Sequence, residues 1–227
     1  MQRSVFIGAS LVAASALSAA EADAIGMVEK AGEFDVAALN KLVSRSAEVR
    51  QVWDAGKLYP QILGGVKNSL NGLQFGFGIA ATRLATAFVT RNESNLLLYG
   101  NAVWTEYRLG ELFRVHDPSG AIVTANIFAP AHSTSMLADP SDPRGFYQDA
   151  SIETLQKRGV LFFACNTALV QQAGQIATAG AAKGQSADDV ARALRKSLLP
   201  HVMLVPSGVG TVAYLQSRYQ YAYLTEQ

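Results

Sequence analysis

The residue type best suited to chemistry in this sequence is the thiol of Cys165, the chain's single cysteine. Cys165 follows the apolar run 160–164, and a predicted helix begins three residues later, at about Ala168. A thiol at a helix N-terminus has its thiolate form favoured by the free N–H groups there. The thiolate attacks sulfur and carries a persulfide, so this spacing predicts a reactive cysteine at a strand-to-helix turn.

The same position also has a purely structural interpretation. Free cysteine is among the most buried residue types, and Cys165 could simply continue the apolar strand as a small hydrophobic residue. Both interpretations stay open at this point. A Cys–His pair would need His116, His132 or His201, all distant in sequence, so a protease-like dyad is not favoured.

Two of the three histidines lie in a long irregular segment, residues 113–148, which is rich in Pro, Asp, Ser and Gly. A segment this long in a compact domain is usually functional, forms an oligomer contact or is mobile. His116 could place its imidazole over the site of Cys165. A zinc site needs three or four ligands at recognisable spacings, and one cysteine with scattered histidines does not supply them, so we predict no metal.

A second motif is the glycine-rich sequence GVGTVA at residues 208–213, which follows a predicted strand and opens a predicted helix. It matches the G-x-G-x-x-A form of the dinucleotide fingerprint. That fingerprint normally begins a nucleotide-binding domain with several strands after it, whereas only one predicted strand follows here. We therefore interpret the turn as a close approach of helix and strand that glycine permits, and we predict no cofactor.

These residues are positioned by an alternation of strand and helix patterns. Short apolar runs predict strands at residues 49–53, 83–89, 160–164, 202–205 and 221–224. Apolar residues at helical spacing and capping residues predict helices at 35–45, 60–77, 95–112, 151–157, 168–182, 187–199 and 210–218. The alternation implies a three-layer α/β fold, a mainly parallel sheet with helices on both faces, similar to flavodoxin in its layers.

Ligands of open parallel sheets bind beyond the carboxyl ends of the strands, where helix N-termini present free N–H groups. Cys165 is the candidate catalytic residue at this edge. The candidate substrate-binding residues follow two strands or lie in the long segment: Asn166, Thr167, Ser207, Gly208 and His116.

Length and composition restrict the classes of protein. A chain of 227 residues with 49% hydrophobic residues can bury a large core and falls within the range of one domain. Its 19 basic and 18 acidic residues give a net charge of +1, without the basic excess that nucleic-acid binding normally requires. We therefore predict that nucleic acid is not a partner.

The first 24 residues have the pattern of a signal peptide. Arg3 supplies a positive start, an apolar segment of about 16 residues follows, and Ala22-Asp23-Ala24 offers an A-x-A cleavage site. A membrane anchor is the alternative, but spanning a bilayer takes about 20 apolar residues. We predict an exported, periplasmic protein with a single domain at 25–227 and no membrane span after cleavage.

Several segments resemble one known family. Residues 158–168 (RGVLFFACNTA) are similar to the strand–Cys–helix segment of DsrE/DsrF-like proteins. Residues 200–210 (PHVMLVPSGVG) and 221–223 (YAY) resemble that family's C-terminal strand, turn and final strand. The resemblance extends from about residue 49 to 224, and residues 68–72 and 95–117 resemble the longer, exported branch of the family.

The resemblance implies a compact three-layer α/β fold that commonly assembles as trimers or hexamers. Some members carry sulfur as a persulfide on a cysteine, which here would be Cys165. The resemblance thus implies a sulfur carrier or sulfurtransferase with a donor or acceptor protein as partner. The alternative is a non-catalytic, oligomeric module of the periplasm that binds a small ligand or a partner protein.

Overall fold

The sheet is formed by strands that lie far apart in sequence. A computed structural model describes residues 32–135 and 139–226 of the protein. The predicted signal peptide, residues 1–24, lies outside these ranges. The described residues build a five-stranded, all-parallel sheet with helices around it, which confirms the predicted α/β class.

The strands follow the order β4-β3-β2-β1-β5 across the sheet. They are β1 Val49–Ala55, β2 Leu84–Thr90, β3 Val160–Cys165, β4 Val202–Val205 and β5 Ala222–Glu226. Every residue of β2 is buried, because a central parallel strand is covered on both faces. For that reason the central strands read in the sequence as continuous apolar runs.

Eight α-helices surround this sheet in the described residues. They are α1 Val36–Val43, α2 Gly64–Asn71, α3 Asn101–Glu106, α4 Leu109–Leu112, α5 Ile152–Lys157, α6 Asn166–Thr178, α7 Ala187–Lys196 and α8 Gly208–Tyr219. Helices α1 and α8 pack on one face, and the apolar sides of the other six pack on the opposite face.

Alternate residues of each strand supply the two halves of the core. In β2, Ala87 and Val89 face α1 and α8, whereas Phe88 faces the larger helical layer. Trp104 of α3 is fully buried in that larger layer, and Val43 of α1 is fully buried in the smaller one. The sheet is therefore the middle layer of three.

The predicted continuous helix at 95–112 is wrong. The chain forms a 3-10 helix at Asn92–Leu98, then α3, then α4. At Gly100 the backbone N–H donates to the Ser197 carbonyl at 2.6 Å, which draws the chain out of a helical path. Arg108, between α3 and α4, has a left-handed φ of 48°. These two backbone positions divide the predicted helix.

The predicted helix at 60–77 is shorter than expected. Only Gly64–Asn71 is α-helical, and a π-helical turn covers Gly72–Gly76. The segment contains several glycines and is followed by Gly78 at a φ of +71°, and glycine weakens a helix interior. The α-helix therefore ends well before Phe77.

No helix in the described ranges combines the length and apolar character needed to cross a membrane.

Candidate functional site

The connections after β3 and β4 leave the sheet on opposite faces. The chain from β3 to β4 passes through α6 and α7 on the larger helical layer, and the chain from β4 to β5 passes through α8 on the other face. Such a divergence is a topological switch point, where open α/β sheets bind their ligands. Cys165 ends β3 at this point, directly opposite Val205 of β4.

Two backbone N–H groups converge on the sulfur of Cys165. Its Sγ accepts a hydrogen bond from the Ala168 N–H at 3.4 Å and one from the Gly208 N–H at 3.1 Å. The first belongs to the N-terminus of α6 and the second to that of α8. Helix N-termini carry a partial positive charge, so this arrangement stabilises negative charge on the sulfur.

The Cys165 side chain is nevertheless well covered, and the residue is 4% exposed. Its surroundings include the polar Asn95 on the larger helical layer and the start of α8 on the other face. The sulfur is thus buried among main-chain dipoles as well as apolar groups.

Gly208 allows α8 to approach the sulfur. A Cβ added at this glycine would lie 2.8 Å from the Thr90 carbonyl oxygen, 3.2 Å from Cβ of Arg91 and 3.5 Å from Cβ of Cys165. A Cβ at Gly210 would meet nothing closer than 3.5 Å. Close packing therefore accounts for the first glycine of the GVGTVA motif without a bound nucleotide.

Asn95, on the larger helical layer opposite α8, binds the main chain of Cys165. Its Oδ1 accepts the Cys165 N–H at 2.9 Å, and its Nδ2 donates to the Cys165 carbonyl at 3.2 Å. The same side chain accepts the Thr90 hydroxyl at 2.6 Å and donates to the Tyr99 hydroxyl at 2.9 Å. Asn95 is fully buried, and sequence reasoning did not identify it as a site residue. The only available signal was a polar amide before the apolar run 96–98.

A buried chain of hydrogen bonds continues from Asn95. The Tyr99 hydroxyl donates to Oε1 of Gln172 at 2.8 Å, and Nε2 of Gln172 donates to the Asn92 carbonyl. Burial raises the pKa of Tyr99 far above its ordinary value. The phenol therefore stays protonated and acts as a hydrogen-bond donor that joins α6 to the 3-10 helix.

The structure places three of the predicted binding residues beside Cys165 in different roles. Thr167 bridges the two loops, because its N–H and its hydroxyl both donate to the Pro206 carbonyl, at 3.3 and 3.2 Å. Ser207 caps α8 by accepting the Gly210 N–H at 3.3 Å. Asn166 directs its Oδ1 to the Arg195 guanidinium, at 2.9 Å from Nη2.

The histidines lie in other surroundings. His116 lines a cavity of about 180 Å³ together with Tyr59, Glu93 and Arg114. Nδ1 of His132 lies 3.4 Å from Oδ1 of Asp149. No group of three or more His, Cys, Asp or Glu side chains within the described ranges is arranged to hold a metal ion.

A charged cluster of residues from β1, β5 and the end of β2 adjoins this site. Arg91, after β2, donates from Nε and Nη2 to the two oxygens of Asp54, at 2.8 and 3.2 Å. The Tyr223 hydroxyl donates to the same carboxylate at 3.0 Å. The hydrogen bond to Asp54 raises the pKa of Arg91, burial of the guanidinium opposes this shift, and the negative charge of Asp54 adds to it.

Comparison of the chain with family models, with curated proteins and with solved structures finds no match.

Proposed function

We propose that this protein is an exported, DsrE/DsrF-like sulfur carrier that holds sulfur as a persulfide on Cys165. The observation that carries the proposal is the pair of N–H groups, from Ala168 and Gly208, that donate to Sγ. A terminal persulfide sulfur is negatively charged, and the N-termini of α6 and α8 favour an anion at this point. The periplasmic location follows from the predicted signal peptide.

The proposed loading reaction is balanced with thiosulfate as donor. The Cys165 thiolate attacks the sulfane sulfur of thiosulfate, a new S–S bond forms, the bond between the two thiosulfate sulfurs breaks, and sulfite leaves with its electron pair. The total charge is unchanged and no further oxidant is consumed. Transfer of the terminal sulfur to an acceptor thiolate regenerates the Cys165 thiolate.

Burial restricts what can reach the sulfur. Cys165 is 4% exposed, so we propose that a donor reaches the sulfur between Thr167 and Ser207, which are half-buried at the starts of α6 and α8. A thiol covered to this extent favours a small inorganic donor over a bulky disulfide.

Intact mass spectrometry of the reduced protein after incubation with thiosulfate tests this function. We expect a mass increase of one sulfur atom that dithiothreitol reverses. The Cys165→Ser variant, which keeps the size of the side chain, controls for adsorbed sulfur and should show no increase. An unchanged mass of the folded wild type with thiosulfate and with a persulfide donor would contradict sulfur carriage.

The burial of Cys165 favours a second candidate function, a non-catalytic periplasmic module that binds a small ligand or a partner protein and assembles as a trimer or hexamer, as the family resemblance implies. In this case Cys165 is a packing residue. Cys165→Ser would leave assembly unchanged in sedimentation velocity, and iodoacetamide would modify the thiol only after unfolding. Rapid alkylation of the folded protein would rule this function out.

A further inference from the structure

An open apolar cleft of about 1020 Å³ lies at the exposed edge of the sheet beside β4. Its apolar walls come from α1, β3, the segment before β4 and β4 itself, and they include Leu42, Leu161, Leu199 and Met203. We call it the β4 cleft. Binding sites for small molecules are typically concave, mostly apolar and about 300–1,000 Å³ in volume, which describes this cleft.

Positive side chains also line the β4 cleft. Arg45 and Lys157 are the two positively charged lining residues, His201 lies beside them, and Glu153 is the single acidic lining residue. Glu153 is already engaged, since its Oε2 accepts the Ala131 N–H at 3.0 Å. Lys157 forms no ion pair with any residue in the described ranges.

Arg45 places a fixed positive charge beside the cleft. Its Nη2 donates to the carbonyls of Leu84 and Gly159, which fixes the guanidinium against the sheet. Its Nε is buried and has no acceptor among the described residues. Arg45 also forms no ion pair within the described ranges, so its charge attracts an anion in the cleft without a contact at Nε.

The backbone of His201 is a further unusual feature of this wall. His201 has a φ of 61°, in the left-handed region that non-glycine residues seldom adopt. Such conformations are concentrated at functional sites, where the surrounding structure holds them. The turn at His201 directly precedes β4 and presents the residue at the rim of the cleft.

We infer that the β4 cleft binds an amphipathic carboxylate, a molecule with one anionic head and an unbranched aliphatic body. The positive side chains would bind the head, and the walls at Leu42, Leu161 and Met203 would cover the chain. This site lies at the amino ends of β3 and β4, whereas Cys165 lies at the carboxyl end of β3. The inference is therefore independent of sulfur chemistry.

Isothermal titration calorimetry of the whole protein with octanoate, nonanoate and decanoate tests the inference. We expect saturable binding that tightens about fourfold for each added methylene, because each methylene is buried in the cleft. Decan-1-ol, which has the same chain without the charge, should bind more weakly than decanoate. Equal affinity of the alcohol and the carboxylate, or no dependence on chain length, would overturn the proposal.

Variants of the cleft distinguish binding of the anionic head from binding of the aliphatic body. Lys157→Met should weaken decanoate binding about twofold to fivefold, as expected for a partly exposed ion pair, and leave decan-1-ol unaffected. Leu42→Glu should weaken it about tenfold or more, because it removes an apolar contact and adds a like charge.

Val36→Glu is the matched control, since Val36 is an exposed apolar residue on the same helix, 47% exposed against 40% for Leu42, and does not line the cleft. An unchanged affinity in Leu42→Glu would overturn the proposal. A second result would also overturn it: Leu42→Glu converts an oligomer into monomers, and neither the oligomer nor the monomer binds decanoate. The cleft would then be a contact between copies of the chain.

Discussion

The sulfur of Cys165 receives its second N–H donor because residue 208 has no side chain. The ideal Cβ at that position would lie 2.8 Å from the Thr90 carbonyl oxygen, a distance that forces one of the two groups to move. The nearest group is backbone of a central strand, which yields little. Gly208 therefore sets the distance between α8 and Cys165.

We predict that Gly208→Ala lowers the free energy of unfolding by about 1–3 kcal/mol, as overpacking of a buried position does. The displaced α8 should also change the rate at which iodoacetamide modifies Cys165. Gly210→Ala is the matched control, because its Cβ meets ordinary contacts only and alanine is the better helix former by up to about 1 kcal/mol. Urea denaturation and alkylation kinetics measure both effects, and equal behaviour of the two variants would refute the role of Gly208.

Part of the candidate site follows from the sequence alone. Cys165, Thr167 and Ser207 each lie within three residues of the end of a predicted strand, and parallel strands bring their carboxyl ends to one edge. Asn95 could not be found in this way. Its contacts with Cys165 span 70 residues, and they depend on a 3-10 helix where the apolar pattern predicted a longer α-helix.

At the scale of elements, strands were the more predictable class. The runs around β2 and β3 are buried on both faces or nearly so, and burial of this kind leaves a continuous apolar signal. The edge strand β4 is half-buried, but its four residues are all apolar. Helix boundaries were less predictable, because the chain from 92 to 112 is set by contacts with other elements. One of these contacts is the hydrogen bond from the Gly100 N–H to the carbonyl of Ser197, at the end of α7.

The carboxylate of Asp149 joins the long segment 113–148 to the start of α5. Asp149 accepts the N–H groups of His132 and Ser133 at 2.7 and 3.1 Å, which belong to that segment. It also accepts the Ser151 N–H and the Thr154 hydroxyl, both at 2.8 Å, at the start of α5. Burial alone would raise the pKa of Asp149, but these donors outweigh burial and lower the pKa to about 2.

We predict acid sensitivity at this junction. A carboxyl whose pKa is lower in the folded state than the ordinary 3.8 stabilises the fold above that value, and the stabilisation is lost as the pH falls toward about 2. Asp149→Asn should lower the free energy of unfolding by about 2 kcal/mol at neutral pH and flatten its pH dependence between about 4 and 2.

Urea denaturation at several pH values measures this effect. Asp188→Asn, an exposed residue of α7, is the control and should change stability by about 0.5 kcal/mol or less. A pH profile of Asp149→Asn that matches the wild type would show that Asp149 does not fix the segment.

At the scale of the whole molecule, the cluster of Arg91, Asp54 and Tyr223 joins β1, β2 and β5. Arg91 follows β2, Asp54 lies in β1 and Tyr223 lies in β5. Asp54 is 6% exposed, so these hydrogen bonds replace the water that its carboxylate loses on folding. The cluster therefore links β5 to the middle of the sheet.

We predict that Arg91→Met lowers the free energy of unfolding by about 2 kcal/mol, because it leaves a buried carboxylate without its cation. The double variant Arg91→Met/Asp54→Asn should recover part of this loss, since the uncompensated charge is gone. Urea denaturation in a double-mutant cycle measures the coupling.

Arg83→Met is the control, as Arg83 pairs with Glu48 in solvent and should contribute about 1 kcal/mol or less. Strictly additive losses in the Arg91 and Asp54 cycle would refute the coupling.

The pairing of β1 with β5 has a consequence for the order of events during synthesis. Gln51 pairs with Ala222 and Asp54 with Thr225, so β1 gains its outer neighbour only when the ribosome has made the chain through β5. Until then a nascent chain presents one side of β1 as an unpaired edge, which is open to wrong partners. The native sheet is therefore completed only after β5 has been translated.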